Sequence, residues 1–352
     1  MSRFLRDRFQ TLEPYTPGEQ PKTLGRLIKL NTNENPYEPA PGAVDVINSD
    51  EAKKLRLYSE PAASLLTEAI ADFYGIRQEQ VIAGNGSDEI LAFIFMAFRG
   101  KTGKVWYPEI SYSFYPVYCD IFGAEGVKVP LGDDFSVRPE DYYGADGTIV
   151  ITNPNAPTGM ALELSQIEDI LENNRDNLVV IDEAYVDFGA VGLIDRYDNL
   201  LVVQTLSKSR SLAGARVGFA MGSEELIEDL NRIKFSFNPY NLNRLSILAG
   251  AEAMKDRGYF ETTRKKIIDT REHFVEELKG LGFRVLPSKA NFVFAASDRM
   301  RGERFFNELR KYDIIVRHFK DEKIADYVRI TIGTPEEMEL LISATRKILE
   351  SI

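Results

Sequence analysis

Short apolar runs alternate with helical patterns along most of this chain, and that alternation limits the fold more than any other feature. Runs of β type fall at residues 81–83, 104–107, 148–152, 177–182, 200–205 and 216–221. Helical patterns at 87–98 and 165–176 sit between them, the second opened by a Ser165/Glu168 capping box. An amphipathic pattern over 60–74 comes first. Leu65, Leu66, Ala69, Ile70 and Phe73 share its apolar face, and Gly75 is a natural stop. Such alternation predicts an α/β fold: a mostly parallel central sheet flanked by helices on both faces.

The two ends read differently. Prolines 14, 17, 21, 36, 39 and 41 keep regular structure out of residues 1–41, an arm that should lie on its own body or on a partner subunit. Beyond about 241 a long helical stretch runs to 281. Strand-like runs follow at 283–287, 291–295, 314–317 and 327–332, and a last helix spans 335–349. This reads as a smaller α+β domain. The expected division is an arm (1–41) joining the small domain, a large ligand-binding domain (42–245) and a small C-terminal domain (246–352). A chain of 352 residues suits that partition, being longer than one ordinary core.

Composition removes several function classes. Lys plus Arg is 43 and Asp plus Glu is 54, a net charge of −11, with no dense basic run, so nucleic acid is not an expected partner. A few local arginines can still build an anion pocket. The single cysteine, Cys119, excludes an intrachain disulfide, and with only His273 and His318 it supports no Cys/His zinc site. Neither histidine comes with a matching serine elbow. The first ten residues lack an apolar signal core, and no apolar run reaches membrane-helix length, so a reduced, cytoplasmic setting and no membrane partner are expected.

In an open parallel sheet, ligands bind beyond the carboxyl ends of the strands. The first such end leads into Gly84-Asn85-Gly86-Ser87-Asp88-Glu89, a turn whose small residues and free N–H groups suit an anion, or simply an N-capped strand–helix turn. The 148–152 run leads into Asn153-Pro154-Asn155-Ala156-Pro157-Thr158-Gly159, a fixed turn carrying two amides. Asp182 ends the next strand. A buried acid there needs a partner, and a pyridinium nitrogen, a helix cap or a magnesium ion would each serve. The 200–205 run leads into Ser207-Lys208-Ser209-Arg210, with Arg216 downstream. A strand-end lysine among small residues can form an imine, and the hydroxyls and Arg216 suit a phosphate. Each signal is weak alone, and their order carries the inference.

In that order the chain resembles the fold-type I aminotransferases dependent on pyridoxal 5′-phosphate (PLP), and more closely the histidinol-phosphate aminotransferase subgroup. The likeness runs from Pro14-Tyr15-Thr16-Pro17-Gly18 through Asn31-Thr32-Asn33-Glu34-Asn35-Pro36 to Val328-Arg329-Ile330-Thr331-Ile332-Gly333. It implies that Lys208 carries the cofactor as a Schiff base, that Asp182 partners its pyridine nitrogen and that Tyr185 donates to its 3′-oxygen. Gly86, Ser87, Asp88, Thr205, Ser207 and Arg216 would hold its phosphate, with Tyr112 stacked on the ring and Tyr58 reaching the phosphate from the other subunit of a homodimer. Arg329 would grip the substrate's anionic end, helped by Tyr15, Asn85 and Arg317.

One departure stands out. Where this family usually has a second Asn before Pro-Thr-Gly, this chain has Ala156, so the contact with the 3′-oxygen must come from Asn153 or Asn155, from Tyr185 alone, or from water. The implied reaction is transamination between L-histidinol phosphate and 2-oxoglutarate, with small-molecule amino donor and 2-oxo acid as partners. Competing readings on the same scaffold are an aromatic aminotransferase and a phosphothreonine-type decarboxylase. A non-catalytic regulator of this fold would be expected to lack the lysine or to carry a DNA-binding segment. A dinucleotide-dependent dehydrogenase is disfavoured because no Gly-x-Gly-x-x-Gly follows an early strand.

Overall fold

A computed structural model describes residues 1–352 except 1–3, 7–8, 22–26, 193 and 195. Among the described residues the main sheet has seven strands. In chain order, after a short β1 in the arm (Ile28–Lys29), they are β2 (Val81–Gly84), β3 (Lys104–Pro108), β4 (Glu125–Val129), β5 (Thr148–Thr152), β6 (Val179–Asp182), β7 (Leu200–Thr205) and β8 (Gly218–Gly222). Their spatial order is β2-β8-β7-β6-β5-β3-β4, and every pairing is parallel except the two that β8 makes. The expected architecture is therefore present. Strands β5 to β8 are buried at every residue, as a sheet covered on both faces requires.

Helices cover this sheet. They are α1 (Pro41–Ile47), α2 (Ser64–Tyr74), α3 (Ser87–Ala97), α4 (Phe114–Phe122), α5 (Leu164–Glu172), α6 (Glu224–Phe237) and α7 (Arg244–Lys255). Helix α2 begins at Ser64 rather than 60 because the Glu60 carboxylate folds back onto the N–H groups of Ala62 (3.0 Å) and Ser64 (2.6 Å). Its apolar face is narrower than the pattern suggested: Leu66, Ala69 and Ile70 are buried, but Leu65 is 54% exposed. Helix α5 starts at Leu164, and its reciprocal cap is Glu163 with Gln166, whose side chain accepts the Glu163 N–H at 2.8 Å. The earlier start aims Ile167, Ile170 and Leu171 at the sheet.

The long helical stretch is two helices. Asn243 caps α7, and Asp256 breaks the run and caps α8 (Arg257–Gly280) by accepting the Tyr259 N–H at 3.0 Å. Helix α7 shares the core of the large sheet through Ala249, Ala251, Ala253 and Met254. After α8 come β9 (Phe283–Val285), β10 (Phe292–Ser297), α9 (Gly302–Arg310), β11 (Ile314–Ile315), β12 (Arg317–His318), β13 (Tyr327–Thr331) and α10 (Pro335–Glu350). The strands β12-β13-β10-β9 form an antiparallel sheet, while β11 pairs in parallel with β1 of the arm. The described arm thus lies on its own body. Tyr15 stacks on Phe114 at 4.3 Å, Arg310 bonds Glu19, and Leu30 is buried in the core of the small sheet.

Candidate active site

The carboxyl ends of β5, β6 and β7 and the start of β8 open into one cleft. Its lining includes Tyr15, Ser87, Asp88, Tyr112, Asp182, Tyr185, Thr205, Ser207, Lys208, Arg216, Arg317 and Arg329. Residues as far apart in sequence as Tyr15 and Arg329 meet here because the parallel strands end at one edge and the antiparallel small sheet closes over it.

Asp182 ends β6 in register with Thr152 of β5 and Val203 of β7. Its carboxylate accepts the Tyr115 hydroxyl (2.8 Å) and, weakly, the Ala184 N–H (3.3 Å), with no basic side chain paired to it among the described residues. Burial pushes this acid up to about 6, against the pull of those two hydrogen bonds. The site therefore holds an acid whose ionised form lacks a cation. Lys208 follows β7 and points its amine into the same cleft, where it donates to the Thr32 carbonyl at 3.1 Å and lies 5.7 Å from the Tyr185 ring.

The turn after β2 builds the anionic end. Ser87 starts α3, and its backbone N–H meets the beginning of β8 so closely that a Cβ on Gly218 would lie 2.1 Å from it. Gly86 takes the left-handed region (φ 85°), where a Cβ would lie 2.6 Å from Arg216 Nη2. Arg216 is itself left-handed (φ 54°) and pairs with Asp88 at 2.8 Å. Asp88 acts through its side chain as well, since its other oxygen accepts the Tyr112 hydroxyl at 2.7 Å. Thr205 and Ser207 are joined by a hydroxyl–hydroxyl bond of 2.9 Å. Burial raises Tyr112 and Tyr15 above the ordinary tyrosine range, so both are neutral donors.

Arg329 of β13 lies directly opposite Arg317 of β12. Arg329 donates to the Asn31 carbonyl at 3.0 Å and leaves its Nε without a partner, and Arg317 reaches the carbonyls of Thr16 (3.2 Å) and Pro17 (3.4 Å). Phe319 lies beside both, 5.7 Å from the Arg329 guanidinium and 5.6 Å from that of Arg317. Burial presses Arg329 downward, yet an arginine keeps its charge at any working pH.

Four expected residues stand apart from this cleft. Asn153 accepts the Leu162 N–H at 2.8 Å, and Asn155 donates to Ile110 O (3.0 Å) and Thr158 Oγ1 (3.1 Å). Asn153 Nδ2 and Asn155 Oδ1 are buried without a hydrogen-bond partner, and Ala156 and Pro157 line the cleft. Asn85 is exposed at the turn, and its N–H caps back onto Glu89 at 2.6 Å. Tyr58 is 81% exposed and stacks on Tyr240 at 4.5 Å, outside the cleft of its own chain. Two sets of residues at the site escaped the reading of motifs. Tyr115, which holds Asp182, was signalled by the aromatic cluster around Tyr112. Asn31, Thr32 and Asn33 of the arm lie in the stretch that carries the resemblance, but it assigned them no role.

The comparisons agree with this geometry. Residues 26–344 match the family model for aminotransferase class I and II. A histidinol-phosphate aminotransferase of Pseudomonas putida (strain W619) is 52% identical over 98% of this chain and 99% of its own length. One from Brachyspira hyodysenteriae is 51% identical over the whole of both chains. Among solved structures, histidinol-phosphate aminotransferase from Sinorhizobium meliloti in complex with pyridoxal-5′-phosphate superposes with a TM-score of 0.86, covering 99% of this chain and all of that one, at 23% identity.

Proposed function

We propose that this chain, which belongs to the aminotransferase class I and II family and within it to the histidinol-phosphate aminotransferases, moves the amino group of L-histidinol phosphate to 2-oxoglutarate. The products are imidazole-acetol phosphate and L-glutamate, in histidine biosynthesis. The cofactor is PLP. The residues present fit it: a buried acid without a cation, a strand–helix turn at Ser87 beside an arginine, and an amine at a strand end share one cleft. When bound, PLP supplies a protonated pyridine ring that withdraws electrons from the substrate's α-carbon.

The chain's own groups then have defined tasks. Asp182 holds the proton on the ring nitrogen, and that cation relieves the burial penalty of its carboxylate. Lys208 Nζ holds the cofactor and afterwards takes the proton from the substrate Cα and returns it on the product side. Tyr185 donates its hydroxyl to the ring's 3′-oxygen. Ser87, Thr205, Ser207 and Arg216 take the phosphate, with Asp88 fixing Arg216 and Tyr112 covering the ring. Arg329, with Arg317 and Tyr15, receives the substrate's far anion, a carboxylate in one half of the cycle and a phosphate in the other. The planar guanidinium fork suits both.

The observation that carries this reading is that Asp182 and Lys208 line one cleft together with Arg216, Arg317 and Arg329. The test is a single-turnover half-reaction on the cofactor-loaded protein. Histidinol phosphate and glutamate should each be deaminated at one equivalent per site, and phenylalanine far more slowly. Release of carbon dioxide from threonine phosphate, a preference for phenylalanine, or a wild-type rate in Lys208→Ala would overturn it.

We further infer a homodimer with shared sites, because Tyr58, Leu55, Leu57, Phe237 and Tyr240 are exposed apolar or aromatic side chains on a chain of this size. Sedimentation would give the mass. We place the domain seam at Asp256 and not at the expected 245/246, because α7 shares the large core, and we assign the arm to the small domain on its β1–β11 pairing and buried Leu30. A cytoplasmic setting suits the free, buried thiol of Cys119. No helix among the described residues is long and apolar enough to cross a membrane.

A further inference from the structure

Three consecutive residues of the arm each touch a different side chain of the site. The Asn31 carbonyl takes Arg329 Nη2 (3.0 Å), the Thr32 carbonyl takes Lys208 Nζ (3.1 Å), and Asn33 Nδ2 donates to the Tyr185 hydroxyl oxygen (2.9 Å). The third contact is the informative one, because its direction can be derived. The Asn33 N–H donates to Thr331 Oγ1 at 3.0 Å, so the threonine's single proton is left to go to Asn33 Oδ1, 3.1 Å away. In this network Asn33 Oδ1 faces Thr331 and its NH₂ faces Tyr185, the orientation in which the threonine proton and the amide NH₂ both meet an acceptor.

The surroundings hold Asn33 in this pose. It is 1% exposed, its own carbonyl accepts the Asn291 amide at 3.0 Å, and its left-handed backbone (φ 57°) is one that asparagine tolerates. The Tyr185 oxygen thus receives a proton from behind. Its own proton cannot occupy that line and must turn elsewhere, and the cleft is the open side. The ring cannot swing away, because it packs edge-on against Phe292 at 5.0 Å.

We propose that Asn33 is a positioning residue for Tyr185. It turns the tyrosine's proton into the cleft, toward the 3′-oxygen of the bound cofactor, and so offsets the amide lost where this chain has Ala156. The proposal rests on the role given to Tyr185 above.

The experiment reads the pH midpoint of the bound cofactor's visible absorbance in the absence of substrate. A donor at the 3′-oxygen stabilises its anionic form and holds that midpoint low, so losing the donor raises it by about one pH unit. Tyr185→Phe tests the tyrosine itself. Asn33→Asp is nearly isosteric and tolerates the same backbone, but its carboxylate accepts the tyrosine's proton and pulls it out of the cleft. The expected result is an upward shift for Asn33→Asp close to that of Tyr185→Phe, and a shift less than half as large when Asn33→Asp is made in the Tyr185→Phe background. Thr331→Val removes the hydroxyl that orients the amide without adding charge, and should move the midpoint the same way by a smaller amount.

The other charges lining the cleft (Asp88, Asp182, Lys208, Arg216, Arg317 and Arg329) are the same in every variant. Full additivity of the two substitutions would mean that the introduced carboxylate acts as a charge through space, and would overturn the proposal. So would unmoved midpoints in both Asn33→Asp and Thr331→Val alongside a shifted Tyr185→Phe. An unmoved midpoint in Tyr185→Phe would remove the role of Tyr185 itself, and with it this one.

Discussion

Asp182→Asn should make the cofactor-free protein more stable and the loaded enzyme nearly inactive. Burial moves this acid from 3.8 to about 6, roughly two units, which corresponds to about 3 kcal/mol between folded and unfolded chains. The sign follows from linkage. The folded state holds the proton more tightly than the unfolded chain, so the penalty is absent below pH 3.8, grows as pH rises toward 6, and is constant above. An asparagine has no charge to bury, and the site accepts it. Its oxygen takes the Ala184 N–H and its NH₂ donates to Tyr115 Oη, while the Tyr115 hydroxyl bonds Thr152 Oγ1, already 2.7 Å away. Urea unfolding of the cofactor-free proteins should therefore show Asp182→Asn ahead by about 1 kcal/mol at pH 4.5 and about 3 kcal/mol at pH 8. In the loaded enzyme the order reverses, because the ring cation loses its counter-charge. Removing one member of a buried pair costs about 3–5 kcal/mol, a fall of a hundredfold or more in kcat. A stability gap that does not widen between pH 4.5 and 8, or an asparagine variant that is the less stable at pH 8, would refute this account of Asp182.

Other substitutions probe the rest of the cleft. Gly218→Ala sets a Cβ 2.1 Å from the Ser87 nitrogen and 2.3 Å from the Gly86 carbonyl carbon, where only backbone could move. It should lose about 1–3 kcal/mol in urea unfolding and weaken cofactor binding in a fluorescence titration. Arg329→Lys keeps a charge but loses the planar fork, so KM for glutamate and for histidinol phosphate should both rise about tenfold, one hydrogen-bonded charge contact's worth, in steady-state assays. Cys119 is buried and its thiol is pushed up to about 12 by burial first and Asp120 second. A disulfide reagent at pH 8 should therefore label it at the rate of unfolding, and labelling at the rate of a free thiol would contradict its placement.

The strand ends were legible because each is a local pattern: an apolar run, then a polar residue of distinctive chemistry. Asp182 and Lys208 could be placed together by the rule that parallel strands share a carboxyl edge, and Arg216 reaches that edge because β8 runs antiparallel and starts there. The arm's contacts were not legible, because Asn31, Thr32 and Asn33 act through carbonyls and an amide on residues 152 to 298 positions away. The orientation of Asn153 and Asn155 was not legible for a related reason. An amide in a proline-fixed turn serves either a ligand or its own loop, and only the path of residues 156–162 decides which. Leu65 and the capping of α5 show the same limit on a smaller scale, since period alone does not say where a helix meets its neighbours.

In the proposed function the paired arginines would account for a site that takes two unlike anions. Arg317 and Arg329 are like charges facing each other on adjacent strands, an arrangement that destabilises a sheet unless something intervenes. Among the described residues neither is paired with a carboxylate. Their partners are the carbonyls of Thr16, Pro17 and Asn31 and the aromatic faces of Phe292 and Phe319. Carbonyl dipoles and ring faces hold a guanidinium in place without cancelling its charge, so the pair stays in deficit of negative charge until a ligand arrives. A carboxylate supplies one unit of it and a phosphate nearly two. A donor set that is itself neutral sets no fixed count for the incoming anion, whereas an internal aspartate would have matched the pair to a single charge state. On this physical ground one pocket serves both halves of the proposed cycle.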